Sequence, residues 1–403
     1  MTVAAEWEET TIGSLASVCR GASPRPIASS RWFDDSSNVR WVRIADVNRS
    51  DGRTLQTTTQ ALSPDGIARS RYLEAGTLIM SIAATVGIPV ITGVPTCIHD
   101  GFVALENLQV DQRFLLYLLK ASESRLRESG QSGSQMNVNT DIVKGLHVCI
   151  PVDRREQARI AAALWDIDDL IVALERLIAK KQAIKQGMMQ QLLTGRTRLL
   201  GFAADWQQST VAQEFGVQLG KRLDAAVNRG QLKTCINNRG VRWGKVQASE
   251  AIQAPLTAAD IRELRLAAGD VLMCEGGEIG RCAVWCDDIP EAYFLNTLHR
   301  LRSKGRYNPH FLAAHFERWA DTGEISAVVG KATLAHLTKE NLLRVPLPMP
   351  TRAEQNAIAD ILTDADQEIE LLRERQRKAC DIKAAMMQQL LTGRTRLPVE
   401  ASA

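Results

Sequence analysis

No apolar run in the 403 residues approaches the roughly 18 needed to span a bilayer. The opening segment, Met-Thr-Val-Ala-Ala-Glu-Trp-Glu-Glu-Thr, lacks the basic and apolar regions of a secretory signal. A cytoplasmic location is therefore expected. Net charge is only +3, so the chain as a whole does not announce a polyanionic partner. There is no Cys-x-x-Cys pair among the eight cysteines; Cys274, Cys282 and Cys286 cluster, but their spacing suits small buried residues better than zinc ligands. The six histidines (His99, His147, His299, His310, His315, His336) are dispersed and read as structural.

Catalytic signatures are missing too. Gly330-Lys331-Ala332-Thr333 has no glycine five residues upstream, so it is no P-loop. Gly276-Gly277-Glu278-Ile279-Gly280 lacks the spacing of a dinucleotide fingerprint, and no Asp/Asn-Pro-Pro-Tyr/Phe, HExxH, GxSxG or HxE…CxxC motif occurs. The chain reads as non-catalytic, with no cofactor and no metal. With 45% hydrophobic and 24% charged residues it has the composition of an ordinary globular protein, and its length suits two or three domains.

What the sequence does contain is a repeat. Met188–Leu199 returns letter for letter as Met386–Leu397, and the 198-residue offset holds without a gap back to Arg154 and Arg352, with 25 identities over 46 aligned positions. Asp153-x-x-Glu156 and Thr351-x-x-Glu354 have the form of capping boxes after Pro151 and Pro350. Apolar residues then follow a narrow 4-3-4 stripe: Ile160, Leu164, Ile167, Ile171, Leu174 and Ile178 in the first copy, Ile358, Leu362, Ala365, Ile369 and Leu372 in the second. The stripe resumes with Ile184, Met188 and Leu192, and in the second copy with Met386 and Leu390. Gly195 and Gly393 end each helix. Two helices of about 40 residues, about 60 Å long, are predicted to pair with one another as a coiled coil.

The regions before the helices are mixed α/β. Strands are expected at Arg40–Ile44, Ile88–Thr92, Leu146–Ile150, Cys282–Trp285 and Leu343–Leu347, and helices at Asp111–Ser124 and Tyr307–Trp319. The predicted architecture is α+β: two similar globular domains, 1–150 and 200–350, joined by two long antiparallel coiled-coil helices (151–199, and 351–403 with a tail) about a pseudo-two-fold axis. From Lys221 to Lys245 seven basic residues stand against one aspartate; in the first half Arg20, Arg25, Arg31, Arg40, Arg43, Arg49 and Arg53 are diluted by four. With the polar loops 130–139 and 330–338, these patches suit phosphates and base edges. The candidate DNA contacts are Arg40, Arg43, Arg49, Arg53, Gln135, Asn137, Asn139, Lys221, Arg222, Asn238, Arg239, Arg242, Lys245 and Lys331.

The paired Arg-x-Glu-Gln helix entries (Arg154–Gln157, Arg352–Gln355) and Gln-Leu-Leu-Thr-Gly-Arg-Thr-Arg helix ends (Gln191–Arg198, Gln389–Arg396) resemble those of specificity subunits of type I restriction–modification enzymes. The resemblance spans the whole chain. It implies two target-recognition domains that each read half of a split DNA site, and helices that act as a ruler. It also implies double-stranded DNA, two methyltransferase subunits and restriction/translocase subunits as partners. Two other readings fit the same residues: a methylation-only or other phage-defence complex, and a coiled-coil scaffold without DNA specificity.

Overall fold

A computed structural model of the chain describes residues 7–129, 138–222, 230–325, 327 and 337–397. The chain forms two compact units, Met1–Glu175 with Arg375–Ala403, and Arg176–Glu374. The division falls inside both long helices (Arg154–Leu192 and Arg352–Leu390), so each unit holds the first part of one helix and the last part of the other.

In the first unit, strand Trp7–Thr11 pairs antiparallel with His147–Pro151, which leads into the long helix. Two sheets follow. One runs Ser17–Arg20, Phe102–Glu106, Leu78–Ser81, Pro89–Thr92, Thr54–Leu55; the other runs Gln60–Ala61, Arg40–Val42, Thr96–Ile98, Arg71–Leu73. Strand alternation sends Ile79 and Ala104 to a core shared with Val42 and Ile98, while Leu78, Met80, Val103 and Leu105 face a second core with helix Gln112–Ala121. Buried on both faces, this strand carries the continuous apolar run Leu78, Ile79 and Met80. The second unit repeats the plan with Gln207–Thr210 against Pro346–Met349, a four-stranded and a three-stranded sheet, and helix Pro309–Asp321.

The long helices are 39 residues each, and their ends turn through Gly195 (φ +68°) and Gly393 (φ +69°), a left-handed conformation that favours glycine. Within each unit the two helix segments run antiparallel. In the first, Lys383 Nζ lies 2.7 Å from Asp168, whose other oxygen accepts from Tyr117 Oη at 2.7 Å; Leu390 and Leu391 join Ile160 and Leu164 in one core. In the second, Lys185 Nζ lies 2.7 Å from Asp366 and 2.7 Å from Glu317, and Met189, Leu192 and Leu193 pack with Ile358 and Leu362. Desolvation pulls the Lys185 pKa down, but the paired acids raise it on balance.

Three expectations need correction. The seam passes through Lys185 and Met189, not Ile184 and Met188: Ile184 is 46% exposed and Met189 is 2% exposed. Glu354 does not reach back to close a capping box; its carboxylate takes Arg198 in a bidentate pair (Nε 2.7 Å, Nη2 2.8 Å) and Trp206 Nε1 at 3.2 Å. Leu343 and Arg344 lie in helix Lys339–Arg344, with the strand beginning at Pro346. The Arg-x-Glu-Gln glutamines are joints. Gln157 accepts the Asp111 N–H at 2.8 Å and donates to Pro151 O at 2.8 Å, and Gln355 does the same with Asn308 (2.7 Å) and Pro350 (3.0 Å). Each therefore ties its long helix to the capping residue of the adjacent shorter one.

Candidate nucleic-acid interface

In each unit a parallel strand pair ends at a tight passage. Arg40–Val42 runs beside Thr96–Ile98 in the first, Gln231–Ile236 beside Tyr293–Phe294 in the second. A neighbouring glycine crosses so closely that a Cβ on Gly21 would lie 2.1 Å from His99 O, and one on Gly220 would lie 2.0 Å from Leu295 O. These matched contacts, with the strand registers, make Arg43 equivalent to Asn237 and His99 equivalent to Leu295. Framework is kept while the side chains at the strand ends differ.

Arg43 caps helix Ile44–Arg49 through its backbone, its N–H donating to Asp46 Oδ2 at 3.0 Å, and its side chain is exposed. Arg49, also exposed, donates to Asp46 Oδ1 at 3.0 Å. Arg40 is held by the Thr58 hydroxyl (3.2 Å) and carbonyl. Arg53 stands elsewhere. It is 6% exposed, pairs with Asp169 at 2.7 Å, and lies 4.7 Å from the Trp165 ring centroid, so its charge belongs to the joint between domain and helix. Asn139 caps helix Thr140–Lys144, its Oδ1 accepting from Ile142 N at 2.8 Å.

In the second unit Lys221 Nζ pairs with Asp260 at 2.5 Å, and hydrogen bonds to Lys221 and Thr257 keep that carboxyl below the usual range despite its desolvation. Arg222, Arg239, Arg242 and Lys245 are exposed. Asn237 Oδ1 accepts from Arg239 N at 2.9 Å, and Asn238 O accepts from Arg281 Nη2 at 3.0 Å, fixing the turn that carries these bases. Arg242 makes one long bond to Gln247 at 3.3 Å, and Lys245 is 3.9 Å from Glu370 with both side chains largely exposed, a pair that water screens. The structure thus gathers Arg43 and Arg49 at one strand end and Asn238, Arg239, Arg242 and Lys245 at and beside the other. Gln135, Asn137 and Lys331 lie outside the described residues. Sequence reasoning passed over His99, which lines the same cavity as Arg43. Its signal was only the glycine two residues on, Gly101, where a Cβ would lie 2.4 Å from the imidazole Cε1.

Among the described residues no group of three or more His, Cys, Asp or Glu could hold a metal ion, and no helix is long and apolar enough to cross a membrane. Cys274 and Cys282 are buried on neighbouring strands, where burial raises both thiols, while Cys286 is exposed.

The family model described as type I restriction modification DNA specificity domain matches residues 4–186 and again 228–379. The type I restriction enzyme MjaVIII specificity subunit of Methanocaldococcus jannaschii is 23% identical over 312 residues, covering 72% of each chain. The putative type I restriction enzyme MjaX specificity subunit of the same organism is 23% identical over 310 residues, covering 72% of this chain and 69% of that protein. In fold, the chain is similar to the S subunit of a type I restriction–modification system from M. genitalium (TM-score 0.63, 14% identity, 97% of both chains). It is also similar to a chain solved in a study of complex assembly and conformational transition of the type I R-M system (TM-score 0.59, 15% identity, covering 98% of this chain and 100% of that one).

Proposed function

Because the chain belongs to the type I restriction–modification DNA specificity family, we propose that its two units read the two unlike halves of one split DNA site. The chain is a specificity subunit: it directs a complex to its DNA site and leaves the chemistry to methyltransferase and restriction partners. The observation that carries the two-half reading is the pair of equivalent strand ends with different side chains, Arg43 and His99 in one unit, Asn237 and Leu295 in the other. Identical readers would favour a symmetric site; unlike readers favour an asymmetric one. Two methyltransferase copies are proposed, because the helix-end sequence Met188–Leu199 returns unchanged as Met386–Leu397 and so offers the same surface twice. The complex is assigned to the cytoplasm.

Methylation mapping in cells carrying the chain and its methyltransferase partner tests this. The expected motif is bipartite, with two different half-sites around unspecified bases. Both long helices run unbroken through the point where the units divide. Four residues added to each extend it by about 6 Å, near two base-pair steps. The gap should then lengthen by about two while both half-sites persist. A contiguous motif would refute the two-half reading, and altered half-site bases with an unchanged gap would refute the role of the helices.

Charge makes a separate expectation. Replacing Arg239, Arg242 and Lys245 together by neutral residues removes up to three phosphate contacts, so the slope of log affinity against log salt should flatten by about 2–3. An unchanged slope would place this patch off the DNA.

A further inference from the structure

We propose that Arg43 and His99 together read a guanine, donating hydrogen bonds to its O6 and N7; this rests on the reading that the first unit takes one half of the DNA site. The two side chains line one cavity of ≈ 580 Å³ with Arg49 and Gln60, and a second of ≈ 280 Å³ with Arg25, Trp41 and Asp100. Both cavities open where the parallel strands end.

The imidazole is built into place as a donor. Its Nδ1 accepts the Gly101 N–H at 2.9 Å, which leaves the ring proton on Nε2. Phe102 meets the ring edge-on with centroids 4.9 Å apart, and Trp41 lies 5.9 Å away, so the ring cannot swing. Burial lowers its pKa, with Asp100 opposing and Arg43 adding to the shift, so near neutral pH the ring carries no charge. The side chain is 22% exposed, and Nε2 has no hydrogen-bond partner among the described residues. Arg43 is in the same position: exposed, with no carboxylate partner among the described residues, whereas Arg25 and Arg49 each have one and Arg53 has two.

Two free donors and no free acceptor between them match the guanine edge, which offers two acceptors in the major groove, and mismatch adenine N6 and cytosine N4, which are donors. A backbone phosphate is the other ligand that takes two donors. The setting disfavours it: a neutral imidazole adds no charge attraction, and the Asp100 carboxylate, 45% exposed, lies 3.9 Å from the ring. At the equivalent place in the second unit stand Asn237 and Leu295, so the same guanine contact cannot recur there.

The test uses the full chain assembled with its methyltransferase partner, binding a library randomised in both half-sites. Arg43→Ala should lose roughly 5- to 150-fold of the preference for guanine at one position of one half-site. The other half-site and the salt slope should be unchanged. Arg43→Lys, which keeps the charge but lacks the planar guanidinium that aims an N–H at the base edge beside the imidazole, should lose most of the same preference. His99→Phe should weaken preference at that same position; where it fails to fold, the exposed Arg43 variants carry the test. Placing 7-deazaguanine at that position, which removes the N7 acceptor, should weaken wild-type binding. Unchanged base preference would overturn the proposal. So would a uniform loss of affinity with a flatter salt slope, rescued by Arg43→Lys, which is the signature of a phosphate contact. A wild-type complex without preference in either half would instead overturn the two-half reading beneath it.

Discussion

Replacing Arg198 by Met should destabilise the second unit by about 3–5 kcal/mol. The reason is what stays behind. Glu354 is 1% exposed and its two carboxylate oxygens are taken by Arg198 Nε and Nη2; without that fork the Trp206 indole N–H is the hydrogen-bond donor left to the carboxylate among the described residues. An ionised carboxylate so enclosed costs several kcal/mol. The reverse change, Glu354→Gln, should cost less, about 1–2 kcal/mol, because Arg198 keeps 26% of its side-chain surface in water and hydrates. Thermal melts of the single variants decide it: Arg198→Met should melt roughly 6–20 °C below the wild-type protein and clearly below Glu354→Gln. Equal losses, or a larger one in Glu354→Gln, would mean that the pair is not the asymmetric burial described.

This pair also shows how far the sequence could be read. The repeated Arg-x-Glu-Gln and Gly-Arg-Thr-Arg segments stood out by identity alone, but identity does not say what a residue touches. Glu354 and Arg198 are 156 positions apart, and a capping-box pattern offered a nearer partner for the glutamate. Gln157 and Gln355 were noticed for the same reason, yet their work is to bond backbone groups of Asp111 and Asn308, which no periodicity reveals. The long helices were legible because a narrow apolar stripe and terminal glycines are local signals. The one-residue shift of the stripe was not, since it depends on Lys185 finding Glu317 and Asp366. A lysine on a buried seam is expected only when its acids are known.

The strand ends were harder still. The sequence marked Arg43 and Arg49 by charge, and along with them Arg53, whose charge is turned inward to Asp169. Charge says nothing of direction. His99 was read as a structural histidine, and its ring is indeed packed against Phe102 and beside Trp41; what the sequence hid is that one nitrogen is left without a hydrogen-bond partner among the described residues. The equivalence of His99 and Leu295 rests on two glycines, Gly21 and Gly220, in stretches with little other identity.

The shifted seam leads to the last expectation, a contrast between two residues that the stripe alone treats alike. Leu192→Asp should be severely destabilising, at least about 4 kcal/mol, and Met188→Asp mild, about 1–2 kcal/mol. Leu192 is 6% exposed in a core with Ile358 and Leu362, so aspartate there forfeits the leucine contacts and places a carboxylate in an apolar core. Met188 is only partly buried at the rim of that core, and its aspartate can turn to water. Met189, 2% exposed, should behave like Leu192. In the other repeat the same logic makes Leu390→Asp severe and Met386→Asp mild, since Leu390 is 4% exposed and Met386 is partly buried. Urea melts of the four aspartate variants distinguish the two registers. Equal losses at Met188 and Leu192 would restore the unshifted stripe. A Met188→Asp protein that melts normally but no longer copurifies with the methyltransferase would show that this rim is a docking surface rather than part of the core.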